Sequence, residues 1–356
     1  MIELFQERVR AASADKTALR IRGGGTKDWY GQRLEGEILD TRRHAGIVDY
    51  EPTELVITAR CGTPLTEIEA VLSERNQMLA FEPPHFGQGA TFGGTVAAGL
   101  SGPRRASAGA LRDFVLGARL LDGKGEVLRF GGQVMKNVAG YDVSRLHAGA
   151  MGTLGVLLEI SVKVLPLPVA ETTLRFETNE ADAIRMLNEW AGRPLPLSAS
   201  CWTGGVLVLR LSGARAAVDD AVRTLGGERM PDCAAFWADV REQRHAFFAG
   251  DAPLWRLSLP STCGPVASGT AQLIEWGGAQ RWLRAGGSDA DADADVDDVQ
   301  RIRALATAAG GHATLFRGGE KSAGVFQPLA PALDRIHQRL KAGFDPANIF
   351  NPGRMY

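Results

Sequence analysis

The chain alternates short apolar runs with polar, glycine-rich stretches, and few segments hold a helical period for long. Residues 55–59, LVITA, form a β-prone run. Residues 64–75 repeat apolar positions at Leu65, Ile68, Val71 and Leu72, one face of a helix with Thr63 as its cap and Pro64 at its first position. Residues 115–121 and 126–130 flank Asp122-Gly123-Lys124-Gly125, a turn sequence, and predict a hairpin. Residues 156–164 are apolar enough for a buried strand, which Leu165-Pro166-Leu167-Pro168 ends. A strand at 172–176, a helix at 180–190, two strands around Gly204-Gly205 and a helix at 214–225 then follow. That β-α-β-β-α order suits an antiparallel sheet with helices on one face. Strands at 254–259 and 270–276 and helices at 296–309 and 330–342 complete the reading.

The pattern predicts an α+β protein of two domains. The first spans 1–168, a smaller sheet-and-helix domain spans 169–328, and a helix and tail at 329–356 return to the first. Sixteen of the 43 glycines lie between positions 87 and 155. Glycine at that density marks tight turns or backbone that approaches a ligand, so the first domain is expected to hold the ligand. The net charge of −1 argues against a dedicated nucleic-acid binder. No apolar run is long enough to span a membrane, and residues 1–10 lack the apolar core of a signal peptide. The reading is therefore cytoplasmic, with any attachment to the inner membrane coming through a partner. Cys61, Cys201, Cys233 and Cys263 form no C-x-x-C, and the six histidines lack metal-ligand spacing, so no internal metal site is expected. The run SDADADADVDD at 288–298 has calcium-like D-x-D spacing. It lacks the glycine and glutamate of a calcium loop, and a solvated acidic loop is the better reading.

Three segments could carry chemistry. Gly23-Gly24-Gly25-Thr26-Lys27 could bring bare main-chain N–H groups, a hydroxyl and a cation to an anion. It is neither a Walker loop nor a Rossmann fingerprint, and alone it reads better as a surface turn. Residues 83–102 lead through Thr91-Phe92-Gly93-Gly94-Thr95 into a helix of small residues ending near Gly99, then Ser101 and Gly102. Such a helix allows close packing, and its N-terminus favours phosphate. Two anion-suited loops in one small domain favour a ligand over packing alone. In the third segment Gly149, Gly152 and Gly155 recur every three residues before the strand at Val156.

Taken in order, RGGGTK, ATFGGTVAAGLSGP, RDFVLG, KNVAGYDVSRLHAGAMGTLGVLLEISVKVLP and the terminal FDPANIFNPGR resemble the vanillyl-alcohol-oxidase family, also called the p-cresol-methylhydroxylase (PCMH) type, of FAD-binding proteins. The resemblance covers nearly all of 15–170 and the last dozen residues. Within that family the motifs are similar to those of the FAD-binding subunits of glycolate oxidases. Such subunits work beside a larger FAD-linked subunit and an iron–sulfur subunit. The resemblance implies a PCMH-type domain of two α/β subdomains. It implies that Gly23, Gly24, Gly25, Thr26 and Lys27 wrap the FAD pyrophosphate. Thr91, Gly93, Gly94, Thr95, Gly99, Ser101 and Gly102 would form the second phosphate and isoalloxazine loop, and Asp113 would steady it. Gly149, Gly152, Leu154, Gly155 and Val156 would line the adenine and ribose end, and Asn351 would approach the flavin from the tail.

Relatives that attach FAD covalently use a His or Cys near these loops. The first glycine loop has neither, and His85 stands ahead of the second, so noncovalent FAD is expected. Hydroxy-acid dehydrogenases of the family carry a histidine-rich H-G-D-G-N motif in the second domain. Here Gly311-His312-Ala313-Thr314-Leu315-Phe316-Arg317 stands near that place, without the acidic partner. Oxidising a 2-hydroxy acid needs a base and a carboxylate clamp, which His312 and Arg317 could supply. A strand histidine and a surface arginine are the commoner explanation. Three roles follow: an FAD-bearing subunit passing electrons toward an iron–sulfur partner, a stand-alone 2-hydroxy-acid dehydrogenase, or a mainly structural subunit.

Overall fold

The structure is a computed structural model that describes residues 1–133, 141–231, 233–266, 270–284 and 292–355. They form two compact units, one of 1–101, 109–167 and 328–356, the other of 102–108 and 168–327. The short segment 102–108 thus leaves the glycine-rich half for the second unit. There Ser107 Oγ donates to Ser198 O (3.1 Å), and the Arg105 guanidinium lies 4.3 Å from the Trp276 ring centre.

The first unit is built on a five-stranded antiparallel sheet. Its order is Ile47–Glu51, Val56–Arg60, Val156–Lys163, Val115–Leu121, Val127–Gly131. The apolar run at 156 becomes the central strand because both its faces are covered. The expected hairpin forms, and Asp122 Oδ1 closes its turn by accepting from Lys124 N and Glu126 N (both 2.9 Å). Leu65–Ser73 is helical and buries Leu65, Ile68 and Leu72 as its period predicts. Its cap is Pro64, not Thr63. The Thr63 hydroxyl is used elsewhere, donating to Arg60 O (2.7 Å) and accepting from Gly46 N (2.9 Å).

A helix the sequence reading passed over, Ile2–Asp15, buries Phe5, Val9 and Ala12 against Leu121, Val156, Leu158, Ile349 and Phe350. Next to it Leu19–Arg22 pairs in parallel with Glu37–Asp40. The C-terminal tail runs along the same strand: Leu19 N donates to Ile349 O (2.7 Å) and Asn351 N to Leu19 O (2.9 Å). Residues 2–22 and 349–351 therefore share one small layer, and the first glycine loop issues from it.

The second unit holds an eight-stranded antiparallel sheet. Its order is Glu228–Met230, Ala170–Glu177, Val206–Gly213, Leu197–Thr203, Gln272–Glu275, Gln280–Arg284, Leu254–Ser258, His312–Arg317. Helices Glu180–Ala191 and Arg215–Leu225 bury Ile184, Leu187, Val218 and Ala221 against Leu174, Leu207, Leu209 and Leu211. A further helix, Ala292–Ala308, packs Val299, Ile302 and Ala306 on Trp255, Leu257 and Leu315. It starts four residues ahead of expectation, so part of the acidic run is helical rather than loop. Aspartates suit a helix N-terminus, where the dipole favours negative charge. Residues 288–291 of that run, and 136–140 of the KNVAG motif, lie outside the described residues. No described helix is long and apolar enough to cross a membrane.

Candidate functional site

A cleft open to solvent lies in the first unit between the 22–28 loop, the helix Phe92–Ala98 and the tail. Its walls bring together segments more than 300 residues apart: the Arg22–Gly23–Gly24–Gly25–Thr26–Lys27–Asp28 turn, Thr91, Gly94, Ala97 and Ala98, then Met151, Asn351 and Arg354.

The glycine loop follows directly from the strand Leu19–Arg22. Among the described residues, none of the main-chain N–H groups of Gly23, Gly24, Gly25 and Thr26 finds an acceptor. Four successive donors without partners are unusual in a folded protein and make a ready nest for an anion. The glycines also have steric reasons. Gly25 sits at φ +74°, and a Cβ on Gly24 would collide with the carbonyl oxygen of Gly89. The two loops thus touch main chain to main chain.

Arg354 locks the loop from behind. Its Nη1 donates to Gln32 O (2.8 Å) and its Nη2 to Asp28 O (3.0 Å) and Lys27 O (3.3 Å). Burial lowers its pKa to about 10, opposed by nearby Asp28, so it remains charged at neutral pH. Asn351, with φ +40°, accepts from Ile21 N at Oδ1 (2.9 Å) and donates from Nδ2 to Met151 O (2.7 Å). It thereby ties strand, tail and the 148–152 loop together. Lys27 turns to the neighbouring loop, donating to His85 O (3.2 Å) and Thr26 Oγ1 (3.4 Å).

The helix Phe92–Ala98 contributes a wall rather than donors. Phe92 N donates to Thr63 O, Gly93 N to Cys61 O and Gly94 N to Thr91 Oγ1. Its first N–H groups are therefore already used, and small residues face the cleft. Thr95 is an exception of another kind: its hydroxyl is buried and has no hydrogen-bond partner among the described residues.

Of the residues singled out from sequence, Gly23, Gly24, Gly25, Thr26, Lys27, Thr91, Gly94 and Asn351 meet at this cleft. The others lie outside its lining. Gly93 packs on Cys61, and Gly99 (φ +64°) touches Gly149. Gly152 leaves room for the Asn351 amide, and Gly155 for Leu121 O. The every-third-residue glycines are thus places where other parts of the chain pack closely. Leu154 and Val156 are core residues. Asp113 Oδ2 accepts from Ala110 N (2.9 Å), and Ser101 Oγ from Leu111 N (3.0 Å). Gly102 belongs to the second unit, its carbonyl accepting from Trp276 Nε1 (3.1 Å). Sequence reasoning missed Asp28, Met151 and Arg354. Met151 and Arg354 stand inside the quoted motifs, whereas Asp28 follows RGGGTK directly and had no signal.

His312 and Arg317 occupy the two ends of one strand in the second unit, about 16 Å apart at ~3.3 Å per residue. The surroundings differ. Burial and Arg256 lower the His312 pKa, whereas Arg317 donates to Phe248 O (3.5 Å) and has Arg284 nearby.

The first-unit cleft suits an FAD diphosphate on its own chemistry, combining a row of unpartnered N–H groups and a wall of small residues. Fold and cleft define a flavoprotein of the PCMH type. A family model described as an FAD binding domain matches residues 2–131. Glycolate oxidase subunit GlcE of Escherichia coli (strain K12) is 50% identical over 350 residues, 98% of this chain and 96% of that protein. Glycolate oxidase subunit GlcD of Bacillus subtilis (strain 168) is 31% identical over 156 residues, 43% of this chain and 33% of that one. A solved alkyldihydroxyacetonephosphate synthase shares the fold, with TM-score 0.66 and 15% identity over 98% of this chain and 74% of that chain. This chain belongs to the glycolate oxidase GlcE family.

Proposed function

We propose that this chain is the FAD-binding subunit of a complex that oxidises glycolate, or a near 2-hydroxy acid, to its 2-keto acid. Its partners are a larger FAD-linked subunit and a subunit carrying an iron–sulfur centre, toward which electrons leave. Identity of 50% with GlcE along nearly the whole of both chains carries the reading. When bound, FAD supplies the hydride acceptor that such an oxidation needs. The 23–26 N–H groups would hold its diphosphate, Arg354 and Asn351 would keep that loop in shape, and Gly94, Ala97 and Ala98 would give the cofactor a flat wall. Among the described residues lining the cleft there is neither His nor Cys, which agrees with noncovalent attachment.

The test is reconstitution. The purified chain carries FAD but reduces a dye acceptor slowly with glycolate or D-lactate, and turnover appears when the partner subunits are added. Gly24→Val in the reconstituted complex abolishes FAD on this subunit and cuts turnover at least tenfold while assembly persists. Rapid bleaching of the lone chain would instead make it a stand-alone dehydrogenase. Full turnover by the Gly24→Val complex would leave it a structural subunit.

A further inference from the structure

We propose that Arg22 is the side chain that grips the cofactor diphosphate and that Asp28 aims it, an inference that rests on the FAD reading above. Three cations line the cleft: Arg22, Lys27 and Arg354. Two are already used. Lys27 is tied to His85 O and Thr26 Oγ1 and lies 5.8 Å from the Phe86 ring centre, so it staples two loops together. Arg354 gives both terminal nitrogens to the carbonyls of Gln32, Lys27 and Asp28.

Arg22 is held differently. Its Nε donates to Asp28 Oδ2 (2.8 Å), and among the described residues neither of its terminal amino groups finds an acceptor. The guanidinium lies against Gly25, where a Cβ would come within 2.8 Å of Nε. It therefore sits beside the four unpartnered N–H groups. Arg20 also donates to Asp28 Oδ2 (2.5 Å), so this one carboxylate is shared between two guanidinium groups. A planar guanidinium fixed at Nε presents its two outer nitrogens as a fork, the geometry that matches two phosphate oxygens. A charge-assisted fork is stronger than the neutral amide donors beside it, so Arg22 should add substantially to the hold of the nest.

Full-length apo chain is titrated with FAD by flavin fluorescence, and ADP and adenosine are used as competitors. Arg22→Gln is expected to weaken FAD and ADP by roughly 10- to 100-fold while changing adenosine less than about twofold. It should also flatten the dependence of FAD affinity on salt. Arg22→Lys, which keeps the charge without the fork, and Asp28→Asn, which frees the fork from its anchor, should give intermediate losses. Wild-type affinity for FAD and ADP in both Arg22 variants overturns the proposal. So does a loss that merely follows a lowered melting temperature and takes adenosine with it. A wild-type chain that binds ADP with this dependence on Arg22 but takes up no FAD defeats the cofactor reading and leaves Arg22 as a diphosphate ligand. A chain that binds neither overturns both.

Discussion

Thr95 keeps a buried hydroxyl, 2% exposed, that bonds to nothing among the described residues. Such a group costs about 1–3 kcal/mol, and an apolar residue of equal shape removes the cost. Thr95→Val should therefore raise the stability of the FAD-free chain by about 1 kcal/mol and at the same time weaken FAD binding. Urea melts with and without FAD read both signs at once; unchanged affinity would mean that the hydroxyl serves no ligand. His147 makes a second case. It is 3% exposed, packs on Phe344 and Phe130, and burial pushes its pKa down to about 4. Above pH 6.5 it is neutral in both folded and unfolded chains. Between 6.5 and 4 the unfolded chain takes up a proton that the folded one refuses, so stability falls as pH drops through that window. The loss between pH 7 and 5 is about 2 kcal/mol from this group. His147→Phe should be less acid-sensitive than wild type by that amount in denaturant melts at the two pH values. Equal sensitivity would place the titration elsewhere.

Among elements, the tail decides the cleft. The helix Pro331–Phe344 ends at Asp345, whose buried carboxylate accepts from Ile349 N (3.0 Å) and Phe350 N (2.8 Å). Lys341 Nζ meets that carboxylate at 2.5 Å and also donates to Thr153 O and Phe350 O. Removing the carboxylate leaves a buried ammonium without its counter-charge, and breaking such a pair costs about 3–5 kcal/mol. Asp345→Ala should lose that much stability and also FAD, because Asn351 and Arg354 are carried on the same turn. A variant that melts early yet keeps FAD would separate the tail from the cofactor.

These elements also mark what a sequence reader can see. The strands at 115 and 156 and the helix at 65 are legible because each repeats its apolar pattern across its length. Ile2–Asp15 escaped because Phe5, Val9 and Ala12 form a narrow stripe among charges. The pair Leu19–Arg22 and Glu37–Asp40 is four residues long, too short for a period. The glycine loop announced itself by composition. The glycines at 149, 152 and 155 showed a pattern without its cause, since Gly99, Asn351 and Leu121, which they accommodate, come from other parts of the chain. Which arginine keeps spare donors depends on tertiary partners and no motif encodes it.

For the whole molecule, the question is where substrate chemistry sits. A hydroxy-acid oxidation needs a base and a carboxylate clamp on one small molecule, within hydrogen-bond reach of its reacting atoms. His312 and Arg317 are the pair the sequence offered, and the strand that carries them holds them about 16 Å apart. Glycolate spans only a few bonds and cannot bridge that gap without both side chains reaching toward each other. Arg317 is instead turned to Phe248 O. On the proposed function, the partner flavoprotein would take the proton and this chain would hold FAD. His312→Ala, Arg317→Ala and the double variant in the reconstituted complex should each keep kcat/KM for glycolate within about threefold, since loss of a true acid–base residue costs ~100-fold or more. A hundredfold drop from either single change, with FAD content and assembly intact, would return the chemistry to this subunit.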